Sequence, residues 1–137
     1  MINTERSKVF CVIPVHNRLE LTKQCLKYLE DQDYPALHIV IVDDGSTDGT
    51  REHLAQFSKG NISVLRGDGS LWWGGAMRKG MEFVAALAGD RDYLLMLNDD
   101  VRIERNYVSA LVRDSSARGG AVVGSAQYDE ATGELID

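Results

Sequence analysis

Three apolar runs without polar alternation constrain the fold of this 137-residue chain more than any other feature. They are VFCVIPV (9–15), LHIVIVD (37–43) and YLLMLNDD (93–100). A strand that has no polar face is buried on both sides, which is typical of a parallel sheet covered by helices. We therefore interpret these runs as buried strands.

Helical patterns separate these runs. Helices are expected over 18–32, 48–59, 73–88 and 104–117, and two further strands over 61–67 and 120–126. Strands that alternate with helices predict an α/β fold, with a doubly wound, mostly parallel sheet and helices on both faces. We expect residues 1–137 to form a single domain. The tail YDEATGELID is expected to turn around Thr132-Gly133 and to lack the second arm of its hairpin.

Composition and charge limit the kinds of molecule that the chain is expected to bind. The net charge is −6 and no basic run occurs, which argues against nucleic acid because phosphate contacts need clustered Lys and Arg. A small phosphorylated ligand stays compatible with an acidic site if a metal ion holds it. The N-terminal residues are too polar for a signal peptide, and no apolar run approaches the roughly 20 residues of a membrane helix. We expect a location in the cytosol or at its membrane face, with Cys11 as a small core residue.

Polar clusters follow three of the predicted strands. They are HNR (16–18), DDGSTDG (43–49) and NDD (98–100). Ligands of open α/β sheets bind beyond the carboxyl ends of the strands. Because all three clusters fall at such ends, we expect them to converge on one binding site.

A calcium loop is one interpretation of the second cluster. Asp44, Ser46 and Asp48 have the spacing of the first EF-hand ligands, and Gly49 stands at the glycine position. The twelfth position requires a bidentate Glu, but Ala55 stands there, and a strand precedes the loop instead of a helix. The sequence therefore disfavours this interpretation.

A phospho-receiver site is a second interpretation. Asp43, Asp44 and Asp99 could supply its carboxylates, but the lysine that should follow a later strand is missing, because no lysine occurs after Lys79.

A nucleotide-sugar site is the third interpretation, and it needs two separate carboxylate sites on neighbouring strand ends. One of them would accept hydrogen bonds from the base or ribose. The other would hold Mg²⁺ or Mn²⁺, which prefer oxygen ligands and neutralise the charge that builds on a diphosphate leaving group.

The chain resembles the N-terminal half of the family 2 glycosyltransferases, which have the GT-A fold. The segments that carry the resemblance are VIPVHNR (12–18), IVIVDDGSTDGT (39–50), GGAMRKG (74–80) and LLMLNDDV (94–101). Their order and spacing match, NDD resembles the family's DXD-type motif, and the resemblance covers nearly the whole chain. It implies an inverting, metal-dependent transfer of sugar from a nucleoside-diphosphate donor, with UDP or dTDP as the expected nucleotide. The implied acceptor is a hydroxyl of a saccharide or lipid-linked molecule.

The resemblance also implies roles for individual residues. Asp100 is the expected metal ligand, Asp99 is expected at the ribose or the metal, and Asp44, with Asp43 nearby, at the base or ribose. The remaining residues expected to contact the nucleotide sugar are Pro14, Val15, His16, Asn17, Gly74, Gly75, Arg78, Lys79 and Asn98.

The chain departs from the family pattern in two respects. Met77-Arg78 stands where members often have Arg-Asn, so Arg78 or Lys79 is expected to take over the phosphate. Members are usually longer, and the resemblance places their general base and acceptor site in a second half, beyond Asp137. We therefore also expect an unfinished sheet edge that promotes self-association.

Other interpretations stay open at this stage. A non-catalytic nucleotide-sugar-binding module and a nucleotidyltransferase are alternatives to a glycosyltransferase. The pairs Asp43-Asp44 and Asp99-Asp100 could merely shape turns. Trp72 and Trp73 could stack on a ligand or belong to the core.

Overall fold

The computed structural model describes residues 6–57 and 60–136. The first half contains β1 (Val9–Val15), α1 (Leu19–Glu30), β2 (Leu37–Asp44), α2 (Thr50–Leu54) and β3 (Ile62–Gly67). The second half contains α3 (Trp72–Ala85), β4 (Tyr93–Met96), α4 (Tyr107–Ala117), β5 (Gln127–Tyr128) and β6 (Leu135–Ile136).

Four of these strands form one parallel sheet in the order β3-β2-β1-β4. The chain moves outward from β1 to β3 and then crosses back to place β4 on the other side of β1. The direction of winding therefore reverses between β1 and β4, which is where such folds open a crevice for ligands. The predicted doubly wound sheet is confirmed.

The sheet is covered on both faces because successive side chains of a strand point to opposite sides. On one face, Cys11 packs in a cluster with Leu26 of α1 and Val108 of α4. On the other face, Val12 packs in a cluster with Met77 of α3. Cys11 and Val12 are both fully buried, as expected for the central strand of a two-sided core.

The outer strand β4 is shorter and more exposed than its sequence predicted. It ends at Met96 instead of residue 100, and Leu94 and Met96 are 41% and 54% exposed. The reason is that α3 packs mainly over β1 and β2, and leaves the outward face of β4 uncovered. The interpretation of this run as a strand buried on both sides was therefore wrong.

The predicted strand over 120–126 is absent from the structure. Its backbone bonds instead to the end of α4: the Gly120 N–H donates to the Ser115 carbonyl, and the Ser115 hydroxyl donates to the Ala121 carbonyl. Gly119 and Gly120 both have left-handed φ values, which turn the chain there. Because the 120–126 segment is held in this way, it does not pair as a strand with the free edge of β4.

The tail forms the predicted turn, but the expectation that it lacks a second arm was wrong. β5 pairs with β6 in an antiparallel hairpin. The Asp129 carboxylate accepts hydrogen bonds from the N–H groups of Ala131 and Thr132, and Gly133 has a φ of +70°. These two features close the turn.

All four helices are shorter than predicted, and the difference is greatest for α2, which is confined to Thr50–Leu54; α4 begins only at Tyr107. The predicted end of α2, residues 58–59, lies outside the described residues. Among the helices that the structure describes, none is long and apolar enough to cross a membrane.

Gly80 and Gly74 provide a matched test of the packing of α3. A Cβ at Gly80 would overlap Val12 Cγ1 and lie 3.2 Å from Val42 Cγ2, whereas a Cβ at Gly74 would meet nothing within 4 Å. We expect Gly80→Ala to lower the free energy of unfolding by about 1–3 kcal/mol through overpacking. Gly74→Ala should raise it by up to about 1 kcal/mol through helix propensity. Chemical denaturation measures both changes, and equal effects would contradict this packing.

Candidate functional site

A cleft of about 400 Å³ lies at the carboxyl ends of β1, β2 and β4. The three polar clusters of the sequence all contribute to it, as expected for the point where the winding reverses. Its lining residues are Pro14, Val15, His16, Arg18, Asp44, Gly69, Trp72, Trp73, Ala76, Asn98, Asp99 and Asp100.

Asp44 organises one wall of the cleft. Its Oδ1 accepts a hydrogen bond from the Gly69 N–H at 2.8 Å, and its Oδ2 accepts bonds from the N–H groups of Leu71 and Trp72, both at 3.0 Å. The carboxylate thereby satisfies donors at the start of α3, which have no partner within the helix. Three charge-assisted bonds to one buried side chain fix the 69–72 segment against the end of β2.

Two glycines permit this close approach. A Cβ at Gly67 would overlap Asp44 Oδ1, and a Cβ at Gly45 would lie 2.8 Å from the Gly69 nitrogen. Gly45 also has a φ of +70°, a left-handed value that L side chains rarely adopt. The glycine that follows the two aspartates is therefore required by the crossing of two backbone segments.

His16 lies beside this wall. Its Nδ1 is 2.6 Å from the carbonyl oxygen of Asp44. Because a carbonyl only accepts hydrogen bonds, Nδ1 donates, and the neutral tautomer compatible with this bond has Nε2 as an acceptor. The Asn17 amide nitrogen lies 3.4 Å from that Nε2. The ring thus has a fixed tautomer at the cleft.

Arg18 joins the two carboxylates of the opposite wall. Its Nη1 donates to Asp99 Oδ1 at 3.0 Å and to Asp100 Oδ2 at 3.1 Å. The Asp99 charge, followed by the hydrogen bond to Asp100, raises the pKa of Arg18. Burial raises the pKa of Asp99 above its ordinary value, and Arg18 opposes that shift. The wall therefore holds two negative groups and one positive group.

These carboxylates fit a divalent cation, although no group of three or more His, Cys, Asp and Glu side chains is gathered anywhere in residues 6–57 and 60–136. Mg²⁺ is commonly held by one or two carboxylates together with substrate phosphates and water. Asp99 Oδ2 is buried and has no hydrogen-bond partner in the described part of the chain, and Asp100 is 47% exposed. An orphaned buried oxygen beside an accessible carboxylate is a suitable donor set.

Asp43 lies off the cleft, contrary to its predicted contact with the nucleotide. It is 1% exposed, accepts a hydrogen bond from the Ser46 N–H, and forms an ion pair with Arg66. The alternation of a strand explains this, since adjacent residues of β2 point to opposite faces. Of the two aspartates, only Asp44 reaches the cleft.

Asn17 also serves the turn rather than the cleft wall. Its side-chain oxygen accepts a hydrogen bond from the Thr47 N–H at 2.7 Å, and its own N–H donates to the Ser46 hydroxyl. Asp48 accepts bonds from Thr50 and from the Leu19 N–H. These polar groups tie the 45–50 turn to the start of α1, which leaves the calcium-loop interpretation without free ligands.

The predicted residues of α3 lie outside the cleft. Arg78 forms an ion pair with Glu82 at 2.8 Å and, together with Gly74, lines an apolar groove on the outer side of α3. Gly75 packs against Leu71, and Lys79 is exposed. Helical spacing explains the difference, because only one face of α3 points to the cleft, and Ala76 lies on that face one turn after Trp72 and Trp73.

Sequence reasoning placed Ala76 in a segment, 74–80, expected to close over the donor, but it gave no individual role to Arg18 and none to Gly69. It also left open whether the tryptophans face a ligand. Trp72 and Trp73 are 81% and 57% exposed and both line the cleft. The Trp73 indole N–H donates to Asn98 Oδ1 at 2.8 Å. The HNR cluster contained the signal for Arg18, since a guanidinium next to a predicted acidic site is a natural counter-ion.

The fold and cleft define a class of α/β domain that gathers carboxylates at the crevice of a parallel sheet. The family described as Glycosyl transferase family 2 matches residues 10–135, and the chain belongs to this family. This confirms the resemblance seen in the sequence.

Two curated relatives are glycosyltransferases. The chain is 26% identical over 128 residues to the glycosyltransferase GlyG of Streptococcus pneumoniae, a match that covers 90% of this chain and 41% of GlyG. It is 39% identical over 61 residues to the glycosyltransferase AglE of Haloferax volcanii, with 42% of this chain and 20% of AglE covered. The chain thus spans less than half the length of these relatives.

Solved structures agree on the fold. The mannosyltransferase PcManGT of Pyrobaculum calidifontis, in complex with GDP-Man and Mn²⁺, superposes with a TM-score of 0.70 at 20% identity, covering 82% of this chain and 33% of that one. S. aureus TarS 1–349 in complex with UDP-GlcNAc superposes with a TM-score of 0.71 at 19% identity, covering 90% and 38%. The expected GT-A fold is therefore confirmed.

Trp72 has an unusual backbone for a bulky residue, with a φ of +56°. A left-handed conformation costs an L residue about 1–2 kcal/mol, which glycine avoids. Because the side chain is 81% exposed, we expect Trp72→Gly to raise the free energy of unfolding by up to about 1 kcal/mol.

Trp73→Gly is the matched control. It should lower the free energy of unfolding by at least about 1 kcal/mol, because it places glycine in a helix and removes the bond to Asn98. Urea denaturation of both variants would show the opposite signs. A Trp72→Gly variant as unstable as Trp73→Gly would refute the strain at residue 72.

Proposed function

We propose that this chain binds the nucleotide-sugar donor of an inverting glycosyltransferase, with a divalent cation at Asp99 and Asp100. The whole protein would transfer the sugar to a hydroxyl of a saccharide or lipid-linked acceptor. The observation that carries the proposal is the cleft itself, where Asp44 and the Asp99-Asp100 pair meet at the reversal of the sheet. Family membership supports the reaction class.

The ligands of the solved relatives support the class of donor. PcManGT is in complex with GDP-Man and Mn²⁺, and TarS with UDP-GlcNAc. We expect this chain to take a nucleoside-diphosphate sugar as well, with UDP and dTDP as the first nucleotides to test and GDP as the third.

The residues of the two cleft walls have different roles. Asp44 holds the 69–72 segment, whose backbone and Trp72 side chain then face the ligand. His16 offers an acceptor nitrogen beside it. Asp99 and Asp100 would hold Mg²⁺ or Mn²⁺, with Asp100 as the principal ligand. When bound, the cation would neutralise negative charge on the diphosphate leaving group.

We assign the general base to none of the three aspartates of the cleft. A base must be free to take a proton from the acceptor hydroxyl. Asp44 already accepts three backbone hydrogen bonds, and Asp99 and Asp100 share Arg18 and would hold the cation. Donor binding is therefore the task that these residues fit.

Calorimetric titration tests the donor site. UDP, dTDP and GDP are titrated into the chain with and without Mn²⁺. We expect at least one nucleotide to bind more tightly with the metal, because the cation bridges the acidic wall and the phosphates. If none of the three gains affinity from Mn²⁺, the donor-site proposal fails.

Charge removal at the acidic wall tests the metal ligands. We expect Asp100→Asn to weaken Mn²⁺ binding by about tenfold or more, since even the loss of a residue that only supports a ligand costs about 10–100-fold. Asp99→Asn should weaken it less.

Asp90→Asn is the control, because Asp90 is exposed and precedes β4, at the strand end opposite the cleft. It should leave Mn²⁺ affinity unchanged. Equal losses in Asp90→Asn and Asp100→Asn would show that the metal responds only to the net charge of the chain.

A further inference from the structure

Arg18 occupies the space between the two carboxylates that the donor site needs for a cation. A single nitrogen, Nη1, donates to Asp99 Oδ1 at 3.0 Å and to Asp100 Oδ2 at 3.1 Å. The residue follows β1 in the HNR cluster and lies 81 and 82 positions from its partners. The contact is therefore created by the fold and is not a local turn.

The electrostatics of the wall explain why a positive group sits there. Asp99 is only 5% exposed and stands next to a second carboxylate. Removing a charged carboxylate from water is costly unless a partner compensates it. Arg18 supplies that partner at one oxygen, whereas Asp99 Oδ2 is left without a hydrogen bond in the described residues. The negative charge of Asp99 and Asp100 is thus neutralised only in part.

We propose that Arg18 is a built-in counter-ion that competes with the divalent cation for Asp99 and Asp100 and leaves them when the metal binds. The proposal rests on the metal site of the proposed function. A cation that takes both oxygens removes the acceptors of Nη1, and two positive groups so close together repel each other. The carboxylates of Asp99 and Asp100 would therefore bind either the Arg18 guanidinium or the metal, but not both at once.

The arginine side chain is suited to this exchange. It is 49% exposed, so it can leave the carboxylates for solvent without losing much buried surface. Its pair with Asp100, in which the two side chains are 49% and 47% exposed, is also weak enough for a metal to displace. Its five N–H donors stay at the cleft after displacement, because the residue lines it.

Direct Mn²⁺ titration tests the competition without nucleotide and without any assay of activity. Free Mn²⁺ is followed by electron paramagnetic resonance in the wild-type chain and in Arg18→Met, which keeps a long apolar side chain and removes the charge. We expect the Kd for Mn²⁺ to fall about three- to tenfold in Arg18→Met, in line with the modest strength of a half-exposed ion pair. Arg18→Lys should return the Kd toward the wild-type value, because it restores a positive group.

Arg102→Gln controls for net charge. Arg102 lies two positions after Asp100, but it pairs with Glu130 at 2.7 Å and is 60% exposed. Its loss should change the Kd by less than about twofold, because exposed charges at a distance are screened by salt. Circular dichroism of every variant confirms that it is folded.

The outcomes separate this inference from the proposed function. If Asp100→Asn abolishes Mn²⁺ binding but Arg18→Met leaves the Kd unchanged or raises it, the competition is refuted and the metal site stands. If Mn²⁺ binds equally well to the wild type and Asp100→Asn, the metal site and the competition both fail. Tighter binding in Arg18→Met but not in Arg102→Gln supports the competition.

Discussion

The cleft depends on one buried carboxylate. Asp44 ends β2 and accepts three backbone hydrogen bonds from the segment that starts α3. Without it, these part-buried N–H groups would lose their acceptor, and a donor left unsatisfied away from water costs up to about 1–3 kcal/mol. The glycines at positions 45 and 67 allow the approach that these bonds require. The position of the exposed Trp72 follows from the same contacts.

The opposite wall is governed by the balance of charge. Two carboxylates face one guanidinium, and one oxygen of the buried Asp99 has no hydrogen-bond partner within residues 6–57 and 60–136. A site with an incompletely compensated negative charge attracts a cation, and the same arrangement explains why Arg18 lies where it does. The wall is therefore suited to the exchange of Arg18 for a metal that we propose.

The two walls meet because of the winding of the sheet. β1 lies between β2 and β4, so the ends of all three strands open on the same crevice. Close packing of α3 over β1 and β2 holds its first turn above that crevice. Gly80 permits the packing, because any larger residue there would overlap Val12. The geometry of the site thus depends on the core beneath it.

The sequence predicted the layered fold well. Strands β1 and β2 match their unbroken apolar runs, and the polar clusters after them meet as the parallel arrangement required. The free edge was less predictable, since the apolar segment 120–126 bonds to the end of α4 and forms no strand. Apolar composition indicates a tendency to be buried, but the pairing partner of a segment is set elsewhere in the chain.

The sequence by itself determined the central buried strands β1 and β2, the turn residues and the acidic ends of the strands, because these depend on local periodicity and backbone preference. Only the tertiary structure decided that Asp44 and not Asp43 faces the cleft, and it alone brought Arg18 to Asp99, 81 positions away. Contacts over such separations arise from the winding of the sheet and from the packing of α3. No local pattern encodes them, because each partner is compatible with many neighbours until the fold selects one.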